Sequence, residues 1–350
     1  MTTVKFSCHR LKIYGPATDN TCVTTLSLPL SRSSRSLVFG GNGLLWLALL
    51  PTSVAVVIVR RLAAGAVDSD YWWHLAAGRW MLDHGRIPTT DPFSITHAGQ
   101  SWYAHEWLAE LVIATADRIA GYAAVITLTA AIAGVGVLLL WRAARYYGLA
   151  AGTAAWIAAA AIFLVASYYS ARPQVWGFTL FALLLHELAA HDTGNRRRLW
   201  LLPVVFALWI NINPLALIGT ATLAVYVLHR ALSWLTAVGP RAGDQRRAFQ
   251  HAALVAAGSA LALCLNPRGP ALLWFARVYL NKLPLAHRYI QEWRPLAFSG
   301  FNLVLYVVGG AVIVLVSLAM VRRRAVWPGA LVLLFAVAAA RSARYVRCST

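Results

Sequence analysis

Residues 121–141 read GYAAVITLTAAIAGVGVLLLW, a run that contains no charged side chain. An α-helix rises about 1.5 Å per residue, so a run of about 20 apolar residues crosses the hydrocarbon core of a bilayer. The stretch therefore predicts a transmembrane helix. Apolar runs of similar length recur along the rest of the chain.

The composition of the whole chain agrees with a membrane protein. Of its 350 residues, 59% are hydrophobic and 12% are charged, with a mean hydropathy of +0.61, whereas a soluble domain carries about 25% charged residues. So little charge excludes a soluble enzyme, and a disordered or fibrous chain would need more charge or a short repeat. The four cysteines have no metal-type spacing. We expect an all-α polytopic membrane protein.

Nine apolar segments predict about nine transmembrane helices. They cover residues 39–59, 121–141, 150–169, 173–191, 199–213, 215–235, 248–265, 302–321 and 325–340. The stretch 199–235 also allows one kinked helix, broken at Asn211, Asn213 and Pro214. Charge favours two helices, because a single span would put the basic clusters that flank it on opposite sides of the membrane.

Basic residues mark every second connection between these segments. The chain has 31 Lys+Arg against 12 Asp+Glu, a net charge of +19. In a membrane protein this excess indicates positive-inside orientation and anionic lipid headgroups rather than nucleic acid. We expect a multi-pass protein of the cytoplasmic (inner) membrane with its N-terminus inside and no nucleic-acid partner. The clusters are Arg142 and Arg145, then Arg196–Arg198, then Arg230, Arg241, Arg246 and Arg247, then Arg322–Arg324.

A single transmembrane domain is predicted for residues 39–345. Residues 1–38 are expected to form a basic, disordered cytoplasmic tail, and residues 346–350 an irregular end. Two outer connections are long, residues 60–120 and residues 266–300. The first of them holds seven of the twelve acidic residues, which indicates a site at the membrane surface. An aromatic belt with negative charge left outside is the simpler alternative.

The first outer loop, 60–120, is predicted to contain two interfacial helices, over 70–84 and 101–119. Short polar side chains at 68–70 can cap the first helix, and the link 85–99 is rich in turn residues. Glu106, Glu110 and Asp117 make the second helix a poor span, so we expect it at the surface.

Asp68 and Asp70 are the strongest candidates for chemistry in this loop. Two carboxylates so spaced can hold a divalent cation through oxygen ligands, or one can take a proton from an attacking hydroxyl. A helix cap is the competing interpretation of the same pair. His74, His105 and Glu106 can act as a base, as a ligand or as plain polar groups, and Glu106 with Glu110 can form a solvated helix face.

Arginines at the predicted outer ends of the spans are candidates for binding phosphate. Arg172, Arg268 and Arg294 lie there, and the planar guanidinium suits phosphate oxygens. Each can instead extend its charge to the lipid headgroups.

Several motifs resemble a family of bacterial polytopic membrane proteins grouped with the GT-C glycosyltransferases. The resemblance covers residues 40–345 approximately, and the first-loop motifs carry most of it. The motifs are DSDYWWHLAAGR at 68–79, HGRIPTTDPFS at 84–94, WYAHEWL at 102–108, ARPQ at 171–174, LNPRG at 265–269, QEWRPL at 291–296 and RSAR at 341–344.

The resemblance implies an inverting transferase that takes a sugar from a polyprenyl-phosphate carrier and gives it to a glycan, lipid or protein acceptor at the outer face. An acidic pair in the first outer loop is catalytic or metal-binding in such enzymes, which matches Asp68 and Asp70 and implies Mg²⁺ or Mn²⁺ there. By motif, His105 and Glu106 join the catalytic set. The residues assigned to substrate binding are His74, Arg172, Asn211, Asn213, Arg268, Glu292 and Arg294.

The chain departs from the family pattern in two places. Where a Trp-x-Asn-x-His-Gly-like stretch is expected, it reads WININP at 209–214, and it ends at Thr350, where relatives usually continue. A C-terminally truncated member is therefore expected. A transporter or flippase of a lipid-linked or small solute remains an alternative, as does a non-catalytic scaffold. A transporter would need ionisable groups or broken helices at mid-membrane.

Overall fold

A computed structural model describes residues 43–63, 68–165, 170–194, 199–272, 277 and 327–329. Of these residues 77% are helical and none lies in a strand, which confirms the all-α prediction. Eight α-helices are named within the described residues, and a 3₁₀ turn at Leu199–Leu201 precedes the sixth of them. The helices are α1 (Gly43–Ala63), α2 (Ser69–His84), α3 (Trp107–Tyr146), α4 (Ala151–Val165), α5 (Pro173–Asp192), α6 (Leu202–Ile212), α7 (Ala216–Leu235) and α8 (Arg241–Ala262).

Two of the described helices, α3 and α7, are long and apolar enough to cross a membrane by length and composition. Shorter apolar helical stretches run over Leu45–Arg60 and Leu199–Ile212. The predicted tail 1–38, the spans 302–321 and 325–340 apart from 327–329, and the end 346–350 lie outside the described residues, as does most of the second outer loop.

The break inside α3 separates a predicted surface helix from a predicted span. Gly121 has φ 64° and ψ −160°, a conformation that glycine adopts without the cost of a Cβ clash. The helix before the break begins at Trp107 rather than at residue 101 as predicted. The reason is that residues before Trp107 pair with the preceding link, where the Trp102 amide donates to the Thr89 carbonyl at 2.9 Å.

A second break, between α6 and α7, confirms the prediction of two helices within 199–235. Asn213 ends α6 in an extended conformation, with φ −162° and ψ 138°, and Pro214 follows. The Asn213 Oδ1 atom accepts a hydrogen bond from the Leu215 amide at 3.0 Å. This local bond satisfies a backbone donor at the start of α7, which stabilises the turn.

The helices pack around α3 and α5, which run side by side in the same direction. Helices α1, α2 and α4 pack on α3, whereas α6, α7 and α8 form a second layer beside α5. The bundle has a loop end and a far end. The loop end holds Glu106 and Arg172, where α3 and α5 begin, and the far end holds Tyr146 and Asp192, where they finish.

At the far end, Asp192 is the acceptor for side chains from several segments. Its Oδ1 atom lies 3.0 Å from Arg230 Nη1, and its Oδ2 atom accepts from the Trp327 indole at 3.1 Å and from the Tyr147 hydroxyl at 3.4 Å. Arg230 and Trp327 are buried. This cluster therefore joins α5 to α7 and to the end of α3.

Replacing Asp192 by Asn is expected to lower the free energy of unfolding by about 3 kcal/mol, because the buried Arg230 guanidinium loses its counter-charge. Thermal unfolding of the full chain in detergent, followed by tryptophan fluorescence, measures the change. Asp244→Asn is the matched control. Its ion pair with Arg247 is mostly exposed, so a change within about 1 kcal/mol is expected. Equal effects of the two substitutions would contradict the role of Asp192.

Gly78 lets α2 approach α3 closely. A Cβ atom at this position would lie 2.1 Å from the backbone oxygen of Glu110 and 2.7 Å from the Cβ of Ala114. Real atoms do not come so near, so any larger residue would force the two helices apart. Small residues serve this purpose where helices pack closely in membranes.

We expect Gly78→Ala to destabilise the protein by about 1–3 kcal/mol through overpacking. Gly243→Ala is the control, because a Cβ there meets nothing within 4 Å. In that open helical position alanine should add up to about 1 kcal/mol of stability. The same thermal unfolding assay distinguishes Gly78→Ala from Gly243→Ala. An unchanged or raised melting temperature for Gly78→Ala would contradict the close packing of α2 against α3.

Candidate functional site

Polar side chains from separate parts of the sequence meet at the loop end. They come from the N-terminal ends of α2, α3 and α5, from the break between α6 and α7, and from the turn after α8. This convergence brings together nine of the eleven residues predicted for the site. The nine are Asp68, Asp70, His74, His105, Glu106, Arg172, Asn211, Asn213 and Arg268, whereas Glu292 and Arg294 lie outside the described residues.

Asp68 and Asp70 both contact the Arg172 guanidinium. The Asp68 Oδ2 atom lies 2.9 Å from Arg172 Nη1, and Arg172 Nη2 pairs with the Asp70 carboxylate. Arg172 is positioned by the start of α5, where it holds an extended backbone before Pro173, the first residue of the helix. The side chain of Arg172 is 11% exposed and that of Asp70 39% exposed, so the trio lies at the edge of the site.

Asp68 also caps α2, as the competing interpretation of the pair predicted. Its Oδ1 atom accepts a hydrogen bond from the Asp70 amide at 3.0 Å, which satisfies a free donor at the helix N-terminus. Each carboxylate therefore already has a protein partner. A cation bound by the pair would have to compete with Arg172, so metal binding by Asp68 and Asp70 stays a prediction.

The second group of the site is buried beneath the first. His74 is 3% exposed, Glu106 8% and Glu110 2%. The His74 Nδ1 atom lies 3.1 Å from Glu110 Oε1, and its Nε2 atom lies 3.8 Å from Glu106 Oε2. The solvated face proposed for Glu106 and Glu110 is therefore wrong, because α2 covers that face of α3.

Two asparagines at the break after α6 complete the buried group. Asn213 Nδ2 donates to Glu106 Oε1 at 2.6 Å, and Asn211 Oδ1 accepts from the Trp107 indole at 2.7 Å. Gly177 on α5 makes room for Asn213, since a Cβ there would lie 2.8 Å from its Oδ1 atom. The broken stretch between the two helices is thus tied to the start of α3.

His105 connects the buried group to a small pocket. Its Nδ1 atom lies 2.9 Å from the Tyr103 carbonyl, and its Nε2 atom lies 3.9 Å from Glu106 Oε2. Arg268, at the same pocket, donates to the Thr89 carbonyl at 2.9 Å and lies over the Tyr103 ring. Arg268 therefore holds the first loop in place. The pocket is lined by residues that include Tyr103, His105, Asn211, Asn266, Arg268 and Leu272.

Burial controls the charge of the inner groups. It lowers the pKa of His74 to about 4, against the opposing effect of the nearby Glu106 carboxylate, so His74 is neutral at pH 7. Burial also raises the pKa of the Glu106 carboxyl, while the neighbouring histidines and the Asn213 amide act in the opposite direction. Both shifts come from the poor solvation of charge away from water.

The chain matches no family model, no curated protein and no solved structure. The resemblance to the GT-C glycosyltransferases therefore stays a prediction. One site residue, Glu110, was considered from the sequence only as part of a solvated helix face and not as part of the site. The signal that could have found it was its spacing of four from Glu106, which puts both carboxylates on one helix face.

Replacing Arg172 by Met is expected to destabilise the protein by about 2 kcal/mol, because two carboxylates lose a shared, mostly buried cation. Arg172→Lys should restore part of the loss, since an ammonium cannot bridge both acids as a planar fork does. The control is Arg118→Met, whose ion pair with Asp83 is about half exposed on each side. Thermal unfolding in detergent should show little change for that control, and a similar tolerance of Arg172→Met would contradict the bridging role.

Proposed function

We propose that this chain is a GT-C-like inverting glycosyltransferase of the cytoplasmic membrane. It would move a sugar from a polyprenyl-phosphate carrier to an acceptor at the outer face. The observation that carries the proposal is the Arg172 guanidinium, held between the Asp68 and Asp70 carboxylates at one end of an apolar helix bundle. Transfer of a sugar from a lipid phosphate needs a cation that stabilises the phosphate and a base that takes a proton from the acceptor. Arg172 and Asp70 lie side by side and can supply these two groups.

The distribution of charge supports the proposed orientation. Nine spans with the N-terminus inside would put the loop end at the outer face. The arginines in the described residues that mark the predicted inner connections lie toward the opposite, far end, at the ends of α3 and α7 and the start of α8, in accord with the positive-inside rule. They are Arg142, Arg145, Arg230, Arg241, Arg246 and Arg247.

The chemistry follows from the two kinds of charge. An acceptor hydroxyl attacks the anomeric carbon while the bond from that carbon to the carrier phosphate breaks, and the electron pair leaves with the phosphate. Asp70, the more exposed carboxylate, takes the hydroxyl proton. Arg172 stabilises the growing negative charge on the phosphate through two N–H donors. Attack from the face opposite the phosphate inverts the anomeric configuration.

The inner groups of the site support this arrangement by limiting access of water. Asn213 donates to Glu106 and Asn211 accepts from Trp107, so hydrogen bonds tie the start of α3 to the α6–α7 break. Exclusion of water strengthens the attraction between a guanidinium and a phosphate.

A transporter of a lipid-linked or small solute is the second candidate, because α5 buries ionisable groups. His186, Glu187 and His191 are all less than a tenth exposed, although they lie within the predicted span 173–191. Such residues inside membrane helices often belong to ion or proton pathways.

The test is mass spectrometry of the lipid-linked sugar pool in the host organism. We expect a polyprenyl-linked sugar to accumulate in a deletion strain and to be cleared by the wild-type gene. Asp70→Asn should clear it at least about 100-fold more slowly, the contribution of a general base. Asp83→Asn is the matched control, since its exposed carboxylate on α2 pairs with Arg118 outside the site, and it should behave as wild type.

Identical pools in all strains, with the protein present in the membrane, would overturn the transferase proposal. A transporter would instead leave the amount of the sugar lipid unchanged and alter its distribution between the two leaflets. In that case Glu187→Gln should impair function while Asp70→Asn does not. A scaffold should tolerate both substitutions.

A further inference from the structure

We propose that His74, Glu106 and Glu110 bind one divalent transition-metal cation of the Zn²⁺ or Mn²⁺ kind at the loop end. One ligand atom from each of these three side chains lies within 4.8 Å of the other two. The site is distinct from the Asp68–Asp70 pair, for which a cation is expected from the sequence. The inference does not rest on the proposed glycosyl transfer, because it concerns metal binding alone.

The hydrogen-bonding balance of His74 is the first argument. A carboxylate lies at each ring nitrogen, since Glu110 Oε1 is 3.1 Å from Nδ1 and Glu106 Oε2 is 3.8 Å from Nε2. A neutral imidazole has one N–H, and an ionised carboxylate can only accept a hydrogen bond. Whichever tautomer His74 adopts, one of the two carboxylates therefore faces a nitrogen lone pair. A positive charge between these atoms removes the repulsion.

The burial of charge is the second argument. His74, Glu106 and Glu110 are all less than a tenth exposed, so a doubly protonated imidazole is poorly solvated there. Among the described residues, the ion-pair partners of the two glutamates are histidines. Two buried carboxylates are costly unless a cation or a proton compensates them. A divalent cation supplies two positive charges, which match the two glutamates.

Glu110 also has an oxygen that is available as a ligand. The side chain is 2% exposed, and its Oε2 atom has no hydrogen-bond partner in the part of the chain that the structure describes. Buried polar atoms nearly always have a partner. An ionised carboxylate oxygen can pair only with a hydrogen-bond donor or a cation, and a metal ion in the cluster meets this need.

The three side chains need only small movements to bind an ion. Nitrogen and oxygen ligands lie about 2.0–2.2 Å from Zn²⁺, so the ligand atoms of a tetrahedral site are about 3.4 Å apart. The longest gap in the cluster, at most 4.8 Å, therefore has to close by about 1.4 Å. Rotation about the side-chain torsions of the two glutamates covers that distance, so the backbones of α2 and α3 can stay in place.

Neighbouring groups orient two of the ligands. Asn213 Nδ2 donates to Glu106 Oε1 at 2.6 Å, which leaves Oε2 for the ion. The Trp73 ring lies over His74 with the ring centroids 3.8 Å apart, and it restricts rotation of the imidazole. Metal centres in proteins are typically supported by outer contacts that hold each ligand in one orientation.

The ligand types select the class of ion. One imidazole and two carboxylates suit Zn²⁺, Mn²⁺, Co²⁺ or Fe²⁺, whereas Mg²⁺ and Ca²⁺ prefer oxygen ligands alone. Three protein ligands leave a coordination position for water or substrate. Glu106, whose side chain is 10% exposed, is the most exposed of the three ligands and marks the side from which an ion enters.

The experiment uses the full chain, purified in detergent, freed of any affinity tag and stripped with a chelator. Titration with Co²⁺ should produce visible d–d absorption that saturates at one ion per chain. Zn²⁺ should displace the Co²⁺, and an excess of Mg²⁺ should not. Zn²⁺ should also raise the melting temperature, because an ion that binds only the folded chain stabilises it.

Glu110→Gln is the decisive variant, because it keeps the size of the side chain and removes its charge. We expect it to weaken Co²⁺ binding more than about 100-fold, beyond the effect of a group that only orients a ligand. It should also abolish the rise in melting temperature with Zn²⁺. Without metal, its melting temperature should equal or exceed that of wild type, since a buried uncompensated charge is lost. This second readout shows that the variant is folded.

Two further variants complete the set. His74→Ala should weaken Co²⁺ binding as strongly as Glu110→Gln, because it removes the nitrogen ligand. His97→Ala is the matched control. His97 is an exposed histidine of the same loop, bonded to Thr96, and the variant should bind Co²⁺ as wild type does.

Two results would overturn the proposal. One is wild-type protein that binds neither Co²⁺ nor Zn²⁺, which would mean that a proton compensates the two glutamates. The other is Co²⁺ binding that survives Glu110→Gln, and its loss in Asp70→Asn would then assign the ion to the Asp68–Asp70 pair. Neither measurement depends on the lipid-linked sugar pool, so the failure of this proposal is distinguishable from the failure of the transferase.

Discussion

The close approach of α2 to the first part of α3 is the contact on which the site depends. Gly78 lies so near the Glu110 carbonyl that a Cβ atom would come within 2.1 Å of it. This approach covers the face of α3 that carries Glu106 and Glu110, and it places His74 between the two carboxylates. Glu106 and Glu110, which would otherwise face water, are therefore buried in a polar cluster.

Burial makes polar contacts obligatory at both ends of the helix bundle. An ionisable group away from water has to be paired, hydrogen-bonded or neutralised. At the far end, Arg230 and the Trp327 indole satisfy Asp192. At the loop end, Glu106 receives the Asn213 amide and lies beside two imidazoles. The same physical problem therefore leads to a structural ion pair at one end and to a cluster rich in acceptor atoms at the other.

Helix α2 carries both partly exposed and buried polar groups of the site. Asp68 and Asp70, at its first turn, lie at the partly exposed Arg172, whereas His74, about one turn later, is buried beside Glu106. Because one rigid helix holds both sets, the distance between them is set by the helix rise.

The sequence by itself determined the features that depend on local chemistry. The residues 70–84 predicted for the first loop helix match α2 to within one residue, and the breaks near Gly121 and Asn213 occur where glycine and Asn-Pro make a helix unfavourable. Tertiary structure decided which segment packs on each face of a helix. Spacing places Glu106 and Glu110 on one side of a helix, but it cannot say that α2 packs there, nor that Arg172, a hundred residues away in sequence, joins Asp68 and Asp70. Burial and pairing arise from contacts between distant segments, and no local pattern encodes them.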